Sequence, residues 1–61
     1  MYKLGDKFWL QNSNTFFTID AIENELCYGY LEDADGIIRR TCFSVGDINY
    51  YIVRGVMTQV K

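Results

Sequence analysis

The sequence predicts an all-β fold, a small five-stranded barrel, and three observations predict it. Apolar residues fall in short runs rich in β-branched and aromatic side chains, which suit a pleated surface. Gly, Asn and Asp break these runs at the spacing of about 8–12 residues that marks barrels and sandwiches. No window carries a helical stripe of useful length, and a barrel is the economical arrangement because closure removes exposed strand edges.

The first run, Lys7–Leu10, ends at the polar cluster Gln11-Asn12-Ser13-Asn14, which reads as a loop. The second, Thr15–Ile22, alternates with period two: Phe17, Ile19 and Ala21 share one face, Thr18 and Asp20 the other. Glu23-Asn24-Glu25 is a shorter break before the third run, Leu26–Glu32. Asp33-Ala34-Asp35-Gly36 ends in Asp-Gly, a hairpin signal because both residues tolerate positive φ. The fourth run, Ile37–Phe43, stops at Ser44-Val45-Gly46-Asp47. Ser44–Asn49 is expected to form one 3₁₀ turn, and the apolar stretch Tyr50–Val60 to supply the last strand, with a weak point at Gly55. There Met57, Gln59 and Lys61 oppose Val56, Thr58 and Val60.

With 61 residues there is room for one domain, residues 1–61, and no second. A chain this short buries only about 60% of the surface its unfolded form exposes. It therefore needs a disulfide, a metal, a partner subunit or dense apolar content. Hydrophobic residues at 49% and aromatics at 16% supply the last of these, since large rings build a core from few positions. The net charge of −2 argues against affinity that comes from neutralising many phosphates. No apolar run approaches the ~18–20 residues that cross a bilayer. Met1–Asp6 carries a charge at Lys3 and lacks the apolar core of a secretory signal, so a cytoplasmic location is expected.

There is no His, and Cys27 and Cys42 are the only thiols. Zinc would need both thiolates plus carboxylates, an uncommon set. The usual general base at neutral pH is missing too. In the cytoplasm the two Cys are expected to be reduced and buried as apolar filler, with a structural disulfide as the alternative. No metal, cofactor or enzymatic activity is expected, because a Cys nucleophile has no base to activate it.

Taken in order, Gly5-Asp6-Lys7-Phe8, Phe17-Thr18-Ile19, Tyr28-Gly29-Tyr30-Leu31, Asp35-Gly36 and a polar turn through Asp47-Ile48 resemble an SH3-like small barrel. The resemblance covers most of the chain and rests on spacing and residue class. It implies an opening strand, an aromatic strand, a central hairpin and a short 3₁₀ turn before the final strand. Members that bind Pro-rich ligands use an aromatic-Pro groove; this chain has no Pro, so that specificity is not implied. The compact character also resembles small proteins of bacteriophages and prophages, which implies docking on a host protein to inhibit or redirect it.

Five aromatics are candidate partner-binding residues: Trp9, Tyr28, Tyr30, Tyr50 and Tyr51. Trp9 points outward if Phe8 and Leu10 face the core, and would then be an interface anchor. The opposite register makes it a core residue. Tyr28 and Tyr30 share a face, and Tyr50 and Tyr51, as neighbours on a strand, face opposite sides. Each Tyr either grips a partner or edges the core with its hydroxyl in solvent. Arg39 and Arg40, the only basic pair, are weak anion-binding candidates. On a strand they point to opposite faces, and the core-side one must snorkel or pair with Glu32 or Asp33. Asp33–Gly36 approaches a calcium-loop spacing, but Ser44 stands where the twelfth-position acid belongs, so the hairpin reading holds. With Glu23, Glu25 and Glu32 these acids form a rim suited to a basic partner.

The reading that these features support is a non-catalytic protein-binding module, with a homodimer as one form of association. Two other classes stand beside it. One is a nucleic-acid-binding barrel, which the charge counts against. The other is a homo-oligomer that sequesters a nucleotide, with Arg39 or Arg40 on the phosphate and a Tyr on the base.

Overall fold

Four of the five expected strands lie where the sequence places them, and the fifth is shortened by a helix. The computed structural model describes all residues, Met1–Lys61. Its elements are β1 (Lys7–Leu10), β2 (Thr15–Glu23), β3 (Leu26–Glu32), β4 (Ile38–Ser44), α1 (Val45–Val53) and β5 (Met57–Val60). The strands form one antiparallel sheet in the order β4-β3-β2-β1-β5. The protein is thus mostly β. The edge strands β4 and β5 are not paired with each other; α1 connects them and packs on both.

The helix corrects the expectation of a 3₁₀ turn followed by a strand from Tyr50. Ser44 is the N-cap, its Oγ accepting the Asp47 N–H at 3.0 Å, and Asp47 places a negative charge in the first turn. Ile48, Tyr51 and Ile52 then recur at helical spacing, with Ile48 buried and the other two packed against the core. Gly55 ends the helix at φ 79°. Its N–H donates to the Ile52 carbonyl at 3.1 Å, and the Val56 N–H donates to the Tyr51 carbonyl at 2.9 Å. These two bonds are the paired closure of a Schellman motif, in which glycine accepts the left-handed backbone. The residues read as breaks, Ser44-x-x-Asp47 and Gly55, are the start and stop signals of a helix.

The core lies between the sheet and α1. Phe8, Phe17, Ile19, Cys27, Ile48 and Met57 are buried, with Tyr2, Leu10, Leu31, Phe43, Val45, Tyr51 and Ile52 packed around them. A run of rings crosses it. Tyr2 meets Phe8 edge-on at 5.5 Å, Phe8 lies 6.3 Å from Phe17, Phe17 meets Phe43 edge-on at 4.9 Å, and Phe43 meets Tyr51 at 6.1 Å. Edge-to-face pairs at these separations add to simple area burial. The Tyr2 hydroxyl donates to Asn49 Oδ1 at 2.5 Å, tying the amino-terminal segment to α1.

The expected period-two face of β2 is broken at one point. Phe17 and Ile19 face the core, but a bulge between Ile19 and Ala21 changes the register, so Ala21 is exposed opposite Tyr28. Gly29 sits opposite Ile19, where a Cβ would collide with the Thr18 carbonyl. Only glycine lets the two backbones approach so closely. The Asp-Gly hairpin signal is correct in place but not in geometry. Gly36 alone takes positive φ, and the Asp33 carboxylate accepts the N–H groups of Asp35 and Ile37 at 2.9 and 3.0 Å. The residues with mirror-image backbone are Asn24 and Glu25, at φ 51° and 65°, in the β2–β3 turn.

Both thiols are free, as expected, but only Cys27 is buried; Cys42 is exposed. The register accounts for this. Cys27 opposes Phe43 on the core side, whereas Cys42 opposes Tyr28 on the outer side. No helix is long and apolar enough to cross a membrane.

Candidate interaction surface

The register assigns every strand residue to the core side or the outer side of the sheet. Phe8 opposes Phe17 inside, so their neighbours Trp9 and Phe16 oppose each other outside. Phe16 in turn opposes Glu32, and Glu32 opposes Ile38. Thr58 opposes Trp9 from the other flank. One row therefore runs across the whole sheet: Thr58, Trp9, Phe16, Glu32, Ile38. The next row is Val60, Lys7, Thr18, Tyr30, Arg40, and beyond it lie Ala21, Tyr28 and Cys42.

Trp9, Tyr28 and Tyr30 are thus brought together on one outer face, each half-buried by its neighbours. Tyr50 and Tyr51 are not part of it. They lie on α1, on the opposite side of the sheet, because that segment is helical. Tyr50 is exposed, and the Arg54 guanidinium lies 5.6 Å from its ring centroid. Tyr51 turns inward against Phe43. The indole Nε1 of Trp9 donates to Asn14 Oδ1 at 3.4 Å, which holds the ring along the β1–β2 loop.

Sequence reasoning missed the apolar members of the outer face. Phe16 is 38% exposed, Ile38 57% and Val60 41%, all on this side. The Lys7 Nζ lies 5.4 Å from the Phe16 ring centroid, a cation–π arrangement. The signal was available: in Thr15–Ile19 the alternation that buries Phe17 must expose Phe16.

Arg39 and Arg40 diverge as a strand requires. Arg40 is the outer one, and it pairs with Asp20. Its two terminal nitrogens donate to the two carboxylate oxygens at 2.6 and 3.1 Å. The Arg40 hydrogen bond holds the Asp20 carboxyl below its ordinary range, and Asp20 raises the guanidinium in return. Arg39 opposes Leu31 on the core side but stays exposed at the sheet edge. It has no carboxylate partner.

No cleft or cavity interrupts the surface, and no three acidic or thiol side chains gather as a metal site would require. The buried Cys27 thiol is pushed above its ordinary range by desolvation, and the Asp6 charge adds to this. No family model, curated protein or solved structure matches the chain.

Proposed function

We propose that the protein is a non-catalytic binding module that docks on another protein through the outer face of its sheet. One observation carries this reading: Trp9, Phe16, Tyr28 and Tyr30 share an open face that also exposes Ile38 and Val60. Aromatic anchors with aliphatic neighbours are what protein interfaces concentrate at their centres. No cleft that would enclose a small ligand opens on that face, so a macromolecular partner is the better fit. A module without catalytic groups acts by occupancy, blocking or redirecting the protein it covers, which fits a small phage-type inhibitor.

The strand order β4-β3-β2-β1-β5, with a helical segment between the last two strands, is what the SH3-like reading rests on, although β4 and β5 are not paired with each other and the sheet is open where a barrel would close. The nucleic-acid alternative finds little positive charge on the face: the Arg40 guanidinium is engaged by Asp20, and the unpaired Lys7 shares the face with Glu32. The test is capture from source-cell lysate by wild-type protein and by Trp9→Ala, at two salt concentrations. A protein retained at the higher salt by wild type and lost by the variant supports docking. Nucleic acid held only at low salt contradicts it.

A further inference from the structure

The outer face has a charge pattern that matches itself. Lys7 and Glu32 flank Phe16: the Lys7 Nζ reaches over one side of the ring, and Glu32 stands directly opposite Phe16 on the neighbouring strand. Neither forms an ion pair within the chain, whose single salt bridge is Arg40–Asp20. That pair neutralises itself. With Lys7 and Glu32 balancing each other, the central face is neutral, although the chain as a whole carries −2. Two copies can therefore meet here without the repulsion their net charge would impose elsewhere.

We propose that this face, which the preceding reading takes as the docking surface, is covered in the free protein by a second copy. The arrangement is a two-fold dimer. Strands lie about 4.8 Å apart, and same-face neighbours about 7 Å apart along a strand. On that lattice, a two-fold axis in the contact plane crosses the Lys7–Glu32 line at its midpoint and at right angles. It sets Lys7 of each copy on Glu32 of the other, twice over. It also carries Phe16 of each copy onto Trp9 of the other, so that rings meet rings between the two ion pairs. Weak, transient interfaces bury less than about 1,200 Å² in total. Per copy that is a small share of the 4295 Å² surface, within the compass of one five-stranded face. The dimer is a weak one, and a target protein displaces it to dock.

The test is sedimentation equilibrium across a wide concentration range. It compares wild type, Lys7→Glu, Glu32→Lys and an equimolar mixture of the two variants. Both residues are exposed, and circular dichroism confirms that each variant folds. Wild type is expected to dimerise. Each variant alone faces two like-charge pairs and is expected to dimerise roughly tenfold more weakly or worse. In the mixture every pair is again opposite in sign, so association returns to the wild-type level. A wild type that stays monomeric throughout overturns the proposal, as do variants that dimerise like wild type or a mixture no tighter than its components. The docking reading is tested separately. A monomeric wild type whose target capture still depends on Trp9 sinks the dimer alone, and a charge-swappable dimer with Trp9-independent capture sinks the docking face alone.

Discussion

Trp9 and Phe16 stand directly opposite each other on β1 and β2, one residue away from the buried pair Phe8 and Phe17 on the same two strands. The same hairpin therefore presents one aromatic pair to the core and another to the outside. Substitutions on its two sides should have separable effects.

Trp9→Ala removes a half-buried ring and a cross-strand partner, a loss of about 1–2 kcal/mol. Phe17→Ala opens the core and costs about 3–5 kcal/mol. At roughly 0.05–0.15 kcal/mol per residue, a domain of this length has only a few kcal/mol of stability. Urea unfolding should show Trp9→Ala folded with a lowered midpoint, and Phe17→Ala largely unfolded without denaturant.

Two backbone positions should respond in opposite directions. Gly29→Ala drives a Cβ into the Thr18 carbonyl and towards the Phe17 ring, and should destabilise by about 1–3 kcal/mol or more. Glu25 holds φ 65°, which costs a non-glycine residue about 1–2 kcal/mol. Glu25→Gly should raise the thermal midpoint, and Gly29→Ala should lower it.

Helix α1 depends on its cap. Ser44→Ala leaves the Asp47 N–H without its side-chain acceptor and should cost about 1 kcal/mol, whereas Ser44→Asp should preserve stability. Chemical denaturation of the two variants distinguishes the hydrogen bond from simple loss of packing.

The two thiols should label in sequence. Cys42 is exposed and should react with iodoacetamide in the folded protein, while Cys27 reacts only on unfolding. Burial raises the Cys27 thiol, so the folded chain keeps its proton at a pH where the unfolded chain has lost it. Stability should therefore fall as pH rises above the ordinary thiol range. Cys27→Ala should remove that part of the alkaline slope, as read by denaturation at several pH values.

The strands were legible because β-branched and aromatic residues alternate along them. The outward direction of Trp9 followed from Phe8 and Leu10 once their burial was fixed. Two features were not legible from alternation. The bulge between Ile19 and Ala21 and the close approach of Gly29 to the Thr18 carbonyl are matters of pairing between strands, which the alternation of β2 alone does not encode. The helix was misread because Tyr50, Tyr51, Ile52 and Val53 also suit a strand. Its decisive signals lie at its ends, in the Ser44 cap and the left-handed Gly55. Losing that segment to a helix is what separates Tyr50 and Tyr51 from the other candidate aromatics.

The outer face as a docking surface is tested most directly by site-specific photo-cross-linking in source-cell lysate. The photoreactive side chain is placed in turn at Thr58, beside Trp9 on the outer face, and at Val53, exposed on α1. A covalent adduct with another protein is expected from position 58 and none from position 53. Adducts from position 53 alone, or equal yields from both, would contradict it.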